Sequence, residues 1–209
     1  MFILSCSERF EKSEDKIFTV DADDLDGRYL DGGYQRHERS YSIIYEHSEY
    51  TVICPEYRNG EKGGEPIVVI PVFLIPGRPF MAEVYLYAID LYSAAPDKGQ
   101  RWAAEETRKR FKLKTFAHTT LGRALKSLAG KLAGVEAGTA VDAGCPDYEG
   151  LTEKPEQGRF PTVRKTKPSR ERAARFLRGR VAHQDRNSAK AACHEIAREW
   201  FSAYRHFLL

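Results

Sequence analysis

The chain has 209 residues, 42% of them apolar and 11% aromatic, which is enough for one ordinary hydrophobic core or two small ones. The net charge of +3 hides an uneven distribution, because residues 1–60 have a balance of −6 and residues 151–209 a balance of +8. The absence of a long apolar run argues against a membrane span, and the charged SERFEKSEDK directly after MFILSC argues against a signal peptide, so we expect a cytoplasmic protein.

The N-terminal part reads as strands and turns. β-Branched and aromatic residues predict strands at 16–20, 41–45, 49–54 and 67–70. Between the first two lies the acidic DADDLDG, whose alternating aspartates are typical of a cation-binding loop. It lacks the glycine and the final glutamate of an EF-hand, so we interpret it as a solvated turn.

A proline-rich connector, residues 71–79, leads into three predicted helices. The first, at about 80–92, has apolar residues at helical spacing and should be amphipathic. The second covers about 100–111. The third covers about 119–131, with Thr119 as its N-cap and a buried stripe formed by Leu121, Leu125 and Leu128.

The C-terminal part combines a predicted linker with two helices. Residues 133–168 are rich in Gly, Pro and charge and predict the linker. A basic helix follows Ser169, and a last helix from about 187 has an apolar stripe that includes Trp200 and Phe201 and must pack against something. The fold class is therefore α+β, with a β-rich unit (1–77), a helix-turn-helix (78–132), a linker (133–168) and C-terminal helices (169–209).

The most informative segment is 98–131, which carries ten Lys or Arg residues against two glutamates. Two short helices with this charge are typical of a helix-turn-helix that binds double-stranded DNA, in which the start of the second helix meets base edges. The predicted DNA-binding residues are Arg108, Lys109, Lys112, Lys114, His118, Thr119, Thr120, Arg123 and Lys126. Arg123 can form two hydrogen bonds with guanine, Thr120 can form a hydrogen bond or contact a thymine methyl group, and the lysines can contact phosphates.

Several alternatives remain open at this level. The cations of 98–131 are also compatible with a solvated helix surface, and so are those of the basic helix after Ser169. A protein of a different class would use the apolar stripe from Cys193 to Leu208 for self-association or assembly. An enzyme, such as a nuclease remnant that uses Asp24 and its acidic neighbours, has little support because the sequence carries no recognised catalytic motif.

Part of the chain, about residues 34–132, resembles an uncharacterised bacterial family of transposase-related proteins. The similar motifs are the connector Ile70-Pro71-Val72-Phe73-Leu74-Ile75-Pro76, the basic helix motif Ala103, Ala104, Arg108 and Phe111, and the recognition-helix motif Thr119, Thr120, Leu121 and Arg123. The resemblance implies a zinc-ribbon-like N-terminal unit, a helix-turn-helix and DNA binding without catalysis by this chain itself.

The chain departs from this family at the zinc ribbon. Metal-binding relatives carry CxxC pairs, whereas this sequence has Cys54-Pro55-Glu56-Tyr57 at the corresponding place. We therefore expect a degenerate ribbon without zinc, with no cofactor. The four cysteines lie far apart, and we expect buried thiols rather than disulfides.

Overall fold

The structure is a computed structural model that describes residues 2–5, 10–12, 16–60, 64–138, 166–204 and 207–209. The chain divides into two compact units, Met1–Met81 and Ala82–Leu209. The first contains a mixed sheet and one helix, and the second is helical in the part that the structure describes. The predicted α+β class is therefore confirmed.

The first unit is built around a six-stranded sheet. Its strands are β1 (Phe2–Ser5), β2 (Phe10–Lys12), β3 (Ile17–Val20), β4 (Gln35–Tyr45), β5 (Ser48–Arg58) and β6 (Ile67–Pro71). The order is β1-β6-β5-β3-β2, and β4 pairs with β5. The pairs β1–β6 and β3–β5 are parallel, whereas the other three are antiparallel.

The β4–β5 hairpin is the main element of this sheet. Its register runs from Gln35 opposite Arg58 to Tyr45 opposite Ser48, so both strands extend beyond the predicted segments 41–45 and 49–54. The turn contains Glu46 at φ 53. Alternate side chains on β5, Val52 and Cys54, are fully buried, and so is Ile43 on β4. The predicted strands at 16–20 and 67–70 are also present, as β3 and β6.

The acidic segment that we interpreted as a turn is a helix, α1 (Asp23–Leu30). The interpretation was wrong because three aspartates in a first helical turn interact favourably with the positive end of the helix dipole. Asp21 adds to this effect, since its Oδ1 accepts the N–H of Asp23 at 3.1 Å.

The second unit contains α2 (Ala82–Ala94), α3 (Gln100–Arg110), α4 (His118–Gly138), α5 (Thr166–Leu177) and α6 (Arg186–Tyr204). α2 is central, since it contacts each of the other four helices. Nearly all of its side chains are buried, so the predicted amphipathic character of this helix was wrong. A helix that is surrounded by others has no solvent-facing stripe.

Two further predictions concern the C-terminal half. The predicted linker at 133–168 overlaps α4, which continues to Gly138, and α5, which begins at Thr166; residues 139–165 lie outside the described part of the chain. The predicted packing of the last helix through Trp200 and Phe201 is confirmed, because both are buried and α6 contacts α2. Since α4 also packs on α5, the predicted helix-turn-helix and the C-terminal helices belong to one compact unit.

Candidate nucleic-acid interface

α3 ends in a Schellman motif whose left-handed residue is a lysine. The N–H of Leu113 bonds to the carbonyl of Arg108 (2.9 Å), and the N–H of Lys112 bonds to that of Lys109 (3.2 Å). Lys112 has φ 50, in the region that glycine adopts at least cost. Leu113 is buried and anchors the chain behind the motif, while Lys112 is exposed.

The two predicted phosphate-binding residues on α3 have intrahelical partners. Arg108 pairs with Glu105 at 2.7 Å, and Lys109 pairs with Glu106 at 2.9 Å, each three residues apart. The hydrogen bond from Arg108 lowers the pKa of the Glu105 carboxyl, so this pair is charged at neutral pH. Exposed pairs of this kind are weak, and a phosphate can compete for both cations.

Two other cations of the segment are used inside the helical unit. The Arg110 guanidinium donates to the Gln184 carbonyl at 3.0 Å and lies 5.1 Å from the centre of the Tyr87 ring. Lys131 donates to the carbonyl of Phe207. These contacts reduce the number of cations that the sequence alone would assign to a partner.

Four of the six remaining cations of 98–131 form the candidate interface; of the other two, Lys98 pairs with Asp97, and Arg101 lies on α3 outside the α3–α4 connection. Lys112, Lys114, Arg123 and Lys126 are exposed, and no hydrogen bond or ion pair of their side chains occurs within the described residues. Lys112 and Lys114 lie in the connection after α3, and Arg123 and Lys126 lie on α4. The whole stretch 107–135 contains no Asp or Glu, so no acidic residue of this stretch offsets their charge.

The start of α4 carries the predicted base-reading residues. Helical spacing places Thr119, Arg123 and Lys126 within about 60° of arc on one face. All three are exposed, whereas the predicted stripe formed by Leu121, Leu125 and Leu128 is fully buried. His118 is also exposed, and Thr120 is half-buried at the edge of this face.

Thr119 is not the N-cap that we predicted. The carbonyl of Ala117 accepts the N–H groups of Thr120 (3.0 Å) and Leu121 (3.2 Å), so Ala117 holds the N-cap position and Thr119 is the second residue of the helix. Alanine has no side-chain acceptor for the first-turn N–H groups. The positive end of α4 therefore lacks a capping side chain at its N-cap, an arrangement that favours an anion.

The connection between α3 and α4 differs from that of a standard helix-turn-helix. It comprises the seven residues 111–117, against three or four in that motif. Leu113 and Phe116 are buried and hold the connection against the unit. A Cβ at Gly122 would lie 3.0 Å from Oε1 of Gln100, so the start of α4 approaches the first residue of α3 closely. The contacted atom is the end of a flexible side chain that can move aside, so this contact by itself does not require a glycine at position 122.

One arginine of the predicted basic helix is used to end α2. The Arg170 guanidinium donates to the carbonyl oxygens of Tyr92 (2.5 Å), Ala95 and Pro96 (3.3 Å), and it lies 4.0 Å from the centre of the Tyr92 ring. These carbonyls lie at or just beyond the end of α2, where the helix leaves carbonyl groups without partners. Sequence reasoning missed this role because the contact spans more than seventy residues.

The apolar stripe of the last helix is not an open surface. Six of its eight members, Cys193, Ile196, Trp200, Phe201, Tyr204 and Leu208, are buried, and Ala197 and Phe207 are half-buried. Trp200 lies edge-to-face with Phe176 of α5, with ring centres 6.2 Å apart. The hypothesis of self-association through this stripe therefore loses the feature on which it depended.

One of the acidic N-terminal residues, Asp26, is bound to the sheet. Asp26 accepts a hydrogen bond from Tyr57 (2.5 Å) and pairs with Arg36. Burial and this hydrogen bond raise the pKa of Tyr57. Burial also raises the pKa of the Cys54 thiol to about 12, which disfavours a metal-binding thiolate. Among the described residues, no cluster of three or more His, Cys, Asp or Glu side chains could hold a metal ion.

The comparisons with known proteins add no information about this arrangement. Comparison found no matching family model, no matching curated protein and no matching solved structure. Of the helices in the described part of the chain, none has the length and apolarity needed to cross a membrane. The roles of the exposed cations are therefore inferred from their own geometry and charge.

Proposed function

We propose that this protein binds double-stranded DNA in the cytoplasm through the α3–α4 connection and the first turns of α4, and that it has no catalytic activity by itself. The observation that carries the proposal is the exposed set Lys112, Lys114, Arg123 and Lys126 in a stretch without acidic residues. The phosphate backbone is the partner that attracts such a set, and release of its counterions contributes to affinity.

Within this interface, α4 is the reading element. Thr119 and Arg123 share its exposed face near the N-terminus, where a recognition helix contacts base edges. Thr120 lies at the edge of that face and His118 at the helix start, where both reach an adjacent base or phosphate. Lys112 and Lys114 contact phosphates, and Arg108 and Lys109 join them when a phosphate replaces their glutamates. The resemblance to transposase-related proteins supports the same partner.

The test is selection of bound sequences from a random duplex library at two salt concentrations, followed by titration of the selected duplex. Arg123→Ala should weaken binding by roughly tenfold or more and relax the selected motif at one position, because a bidentate contact to guanine is lost. Lys126→Ala should instead leave the motif unchanged and reduce the salt slope by about one.

Arg198→Ala is the matched control, since Arg198 is an exposed arginine on α6, far along the chain from the proposed interface. It should leave affinity and motif unchanged. Equal losses in Arg123→Ala and Arg198→Ala would indicate general charge attraction and contradict reading by α4, whereas no binding of the natural chain at low salt would refute the proposed function.

A further inference from the structure

The end of α3 adjoins the corner between α5 and α6, residues 178–185. The hydrogen bond from Arg110 to the Gln184 carbonyl, 3.0 Å long, joins the two directly. Arg110 and Phe111 also line one small cavity together with Val181 of the corner and Lys190 of α6. The α3–α4 connection, which begins at Phe111, therefore has the corner and the start of α6 as its neighbours.

The corner is held in place by a buried carboxylate. Asp90 of α2 is 1% exposed and accepts three backbone N–H groups, from Gly179 (3.0 Å), Val181 (2.9 Å) and Ala182 (2.8 Å). Successive N–H groups around one anion form a defined concave turn. The residues of the corner thus have fixed positions relative to α2 and, through Arg110, to the end of α3.

Two exposed cations belong to the corner and the start of α6, and one of them, Lys190, lines the same small cavity as Arg110 and Phe111. Arg178 is the first residue after α5, and Lys190 lies in the second turn of α6. Within the described residues, neither forms an ion pair with a carboxylate; Arg178 makes a local hydrogen bond to the Arg175 carbonyl. The acidic neighbour Asp185 is engaged at the start of α6, where it accepts bonds from Asn187 and Ser188.

Arg178 and Lys112 share an unusual backbone conformation. Arg178 has φ 52 and is the first residue after α5, and Lys112 has φ 50 and is the second residue after α3; glycine would adopt this conformation at lower cost. Two cations in strained positions on neighbouring segments suggest that the charge itself is needed there. A cation at the C-terminal end of a helix also interacts favourably with the helix dipole, which is a second explanation for these two residues. Only a role in DNA binding predicts that removal of the charge lowers the affinity for DNA, so this affinity separates the two explanations.

We propose that Arg178 and Lys190 form a second phosphate-contacting patch beside Lys112 and Lys114, so that the DNA backbone is bound by the α3–α4 connection and by the α5–α6 corner together. This proposal rests on the proposed function and adds a surface that lies more than fifty residues further along the chain.

The experiment measures binding of the full chain to a fluorescent random-sequence duplex over a range of salt concentrations. Arg178→Gly and Lys190→Gln should each weaken binding about three- to tenfold and reduce the salt slope by about one. Arg178→Gly should also unfold at a higher urea concentration, since glycine relieves the left-handed strain, so a loss of affinity cannot be attributed to unfolding. Arg198→Gln on α6 is the control for Lys190→Gln.

The outcomes separate the two proposals. If Arg123→Ala loses affinity while Arg178→Gly and Lys190→Gln retain the affinity and salt slope of the natural chain, the second patch is refuted and the proposed function stands. If the natural chain binds no duplex at low salt, both are refuted. Equal losses in Lys190→Gln and Arg198→Gln would also overturn the second patch, because they would show that position is irrelevant.

Discussion

At the scale of single residues, Lys112 combines a stability cost with an exposed charge. Its left-handed backbone completes the Schellman motif of α3, and its exposed side chain is part of the set proposed to bind DNA. Sequence reasoning identified the charge but not the strain, since nothing in the sequence marks a lysine for a position that glycine usually fills.

Lys112→Gly should therefore stabilise the protein by about 0.5–1 kcal/mol while it reduces the salt slope of DNA binding by about one. Urea denaturation followed by tryptophan fluorescence measures the first quantity, because Trp102 and Trp200 both lie in the helical unit. Lys114→Gly is the control: it removes the same charge at a position that does not have positive φ, and it should not stabilise. A lower unfolding midpoint for Lys112→Gly than for the natural chain would contradict the strain argument.

A second residue-scale feature is Glu56, a buried carboxylate on β5. It accepts the Nε–H groups of Arg39 (2.5 Å) and Arg58 (2.6 Å) and is 1% exposed. Burial alone would raise the pKa of Glu56, but the two arginines outweigh it and lower the pKa below the ordinary value of 4.5.

A lowered pKa in the folded state means that Glu56 contributes stability above pH 4.5, and that this contribution is lost as the pH falls through the folded value. Glu56→Gln should therefore destabilise the sheet by about 2 kcal/mol at neutral pH, a figure limited by the partial exposure of both arginines. It should also make sheet stability less dependent on pH below 4.5. Amide hydrogen exchange along β5 measures both effects. Glu49→Gln on the same strand is the exposed control. If the stability of the sheet depended on pH below 4.5 in Glu56→Gln as it does in the natural chain, this role of Glu56 would be contradicted.

At the scale of elements, α2 organises the helical unit through two long-range contacts. Its buried Asp90 fixes the α5–α6 corner, and the carbonyl groups at its end are bonded by Arg170 of α5. Both contacts join helix ends or turns whose backbone groups would otherwise lack partners. The position of the corner, and with it the proposed second patch, depends on α2.

Asp90→Asn should destabilise the helical unit by about 2–4 kcal/mol, because the amide nitrogen would face backbone N–H donors at a buried position. Urea denaturation by tryptophan fluorescence measures the change. Asp97→Asn is the matched control, since Asp97 is exposed and forms only a surface pair with Lys98, and its effect should be close to zero. Similar midpoints for the two variants would show that Asp90 does not hold the corner.

At the scale of the whole molecule, charge follows the division into two units. Residues 1–81 carry 9 basic and 15 acidic side chains, whereas residues 82–209 carry 24 and 15. A polyanionic partner is therefore attracted by the net positive charge of the second unit, 82–209, and repelled by the net negative charge of the first. The modest overall charge of +3 understates the salt dependence expected for DNA binding, since the slope counts local phosphate contacts rather than net charge.

Much of the fold could be predicted from local pattern. The inner parts of the two strands of the β4–β5 hairpin, the extent of α3 and the buried leucine stripe of α4 all follow from residue pattern. The wrong predictions concern elements whose structure depends on tertiary packing or on the helix dipole. The acidic segment at 21–27 forms helix because of its charge order, and α2 is buried all round because four helices surround it.

By itself, the sequence determined that the chain has an α+β fold and where its cations are concentrated, because periodicity and charge are local properties. Only the tertiary structure decided which of those cations remain available. Arg110, Lys131 and Arg170 bond to carbonyl groups more than seventy residues away, whereas Arg123 and Lys126 remain exposed. A guanidinium or ammonium group takes a nearby backbone acceptor when packing provides one, and packing brings together residues whose separation along the chain no local pattern records.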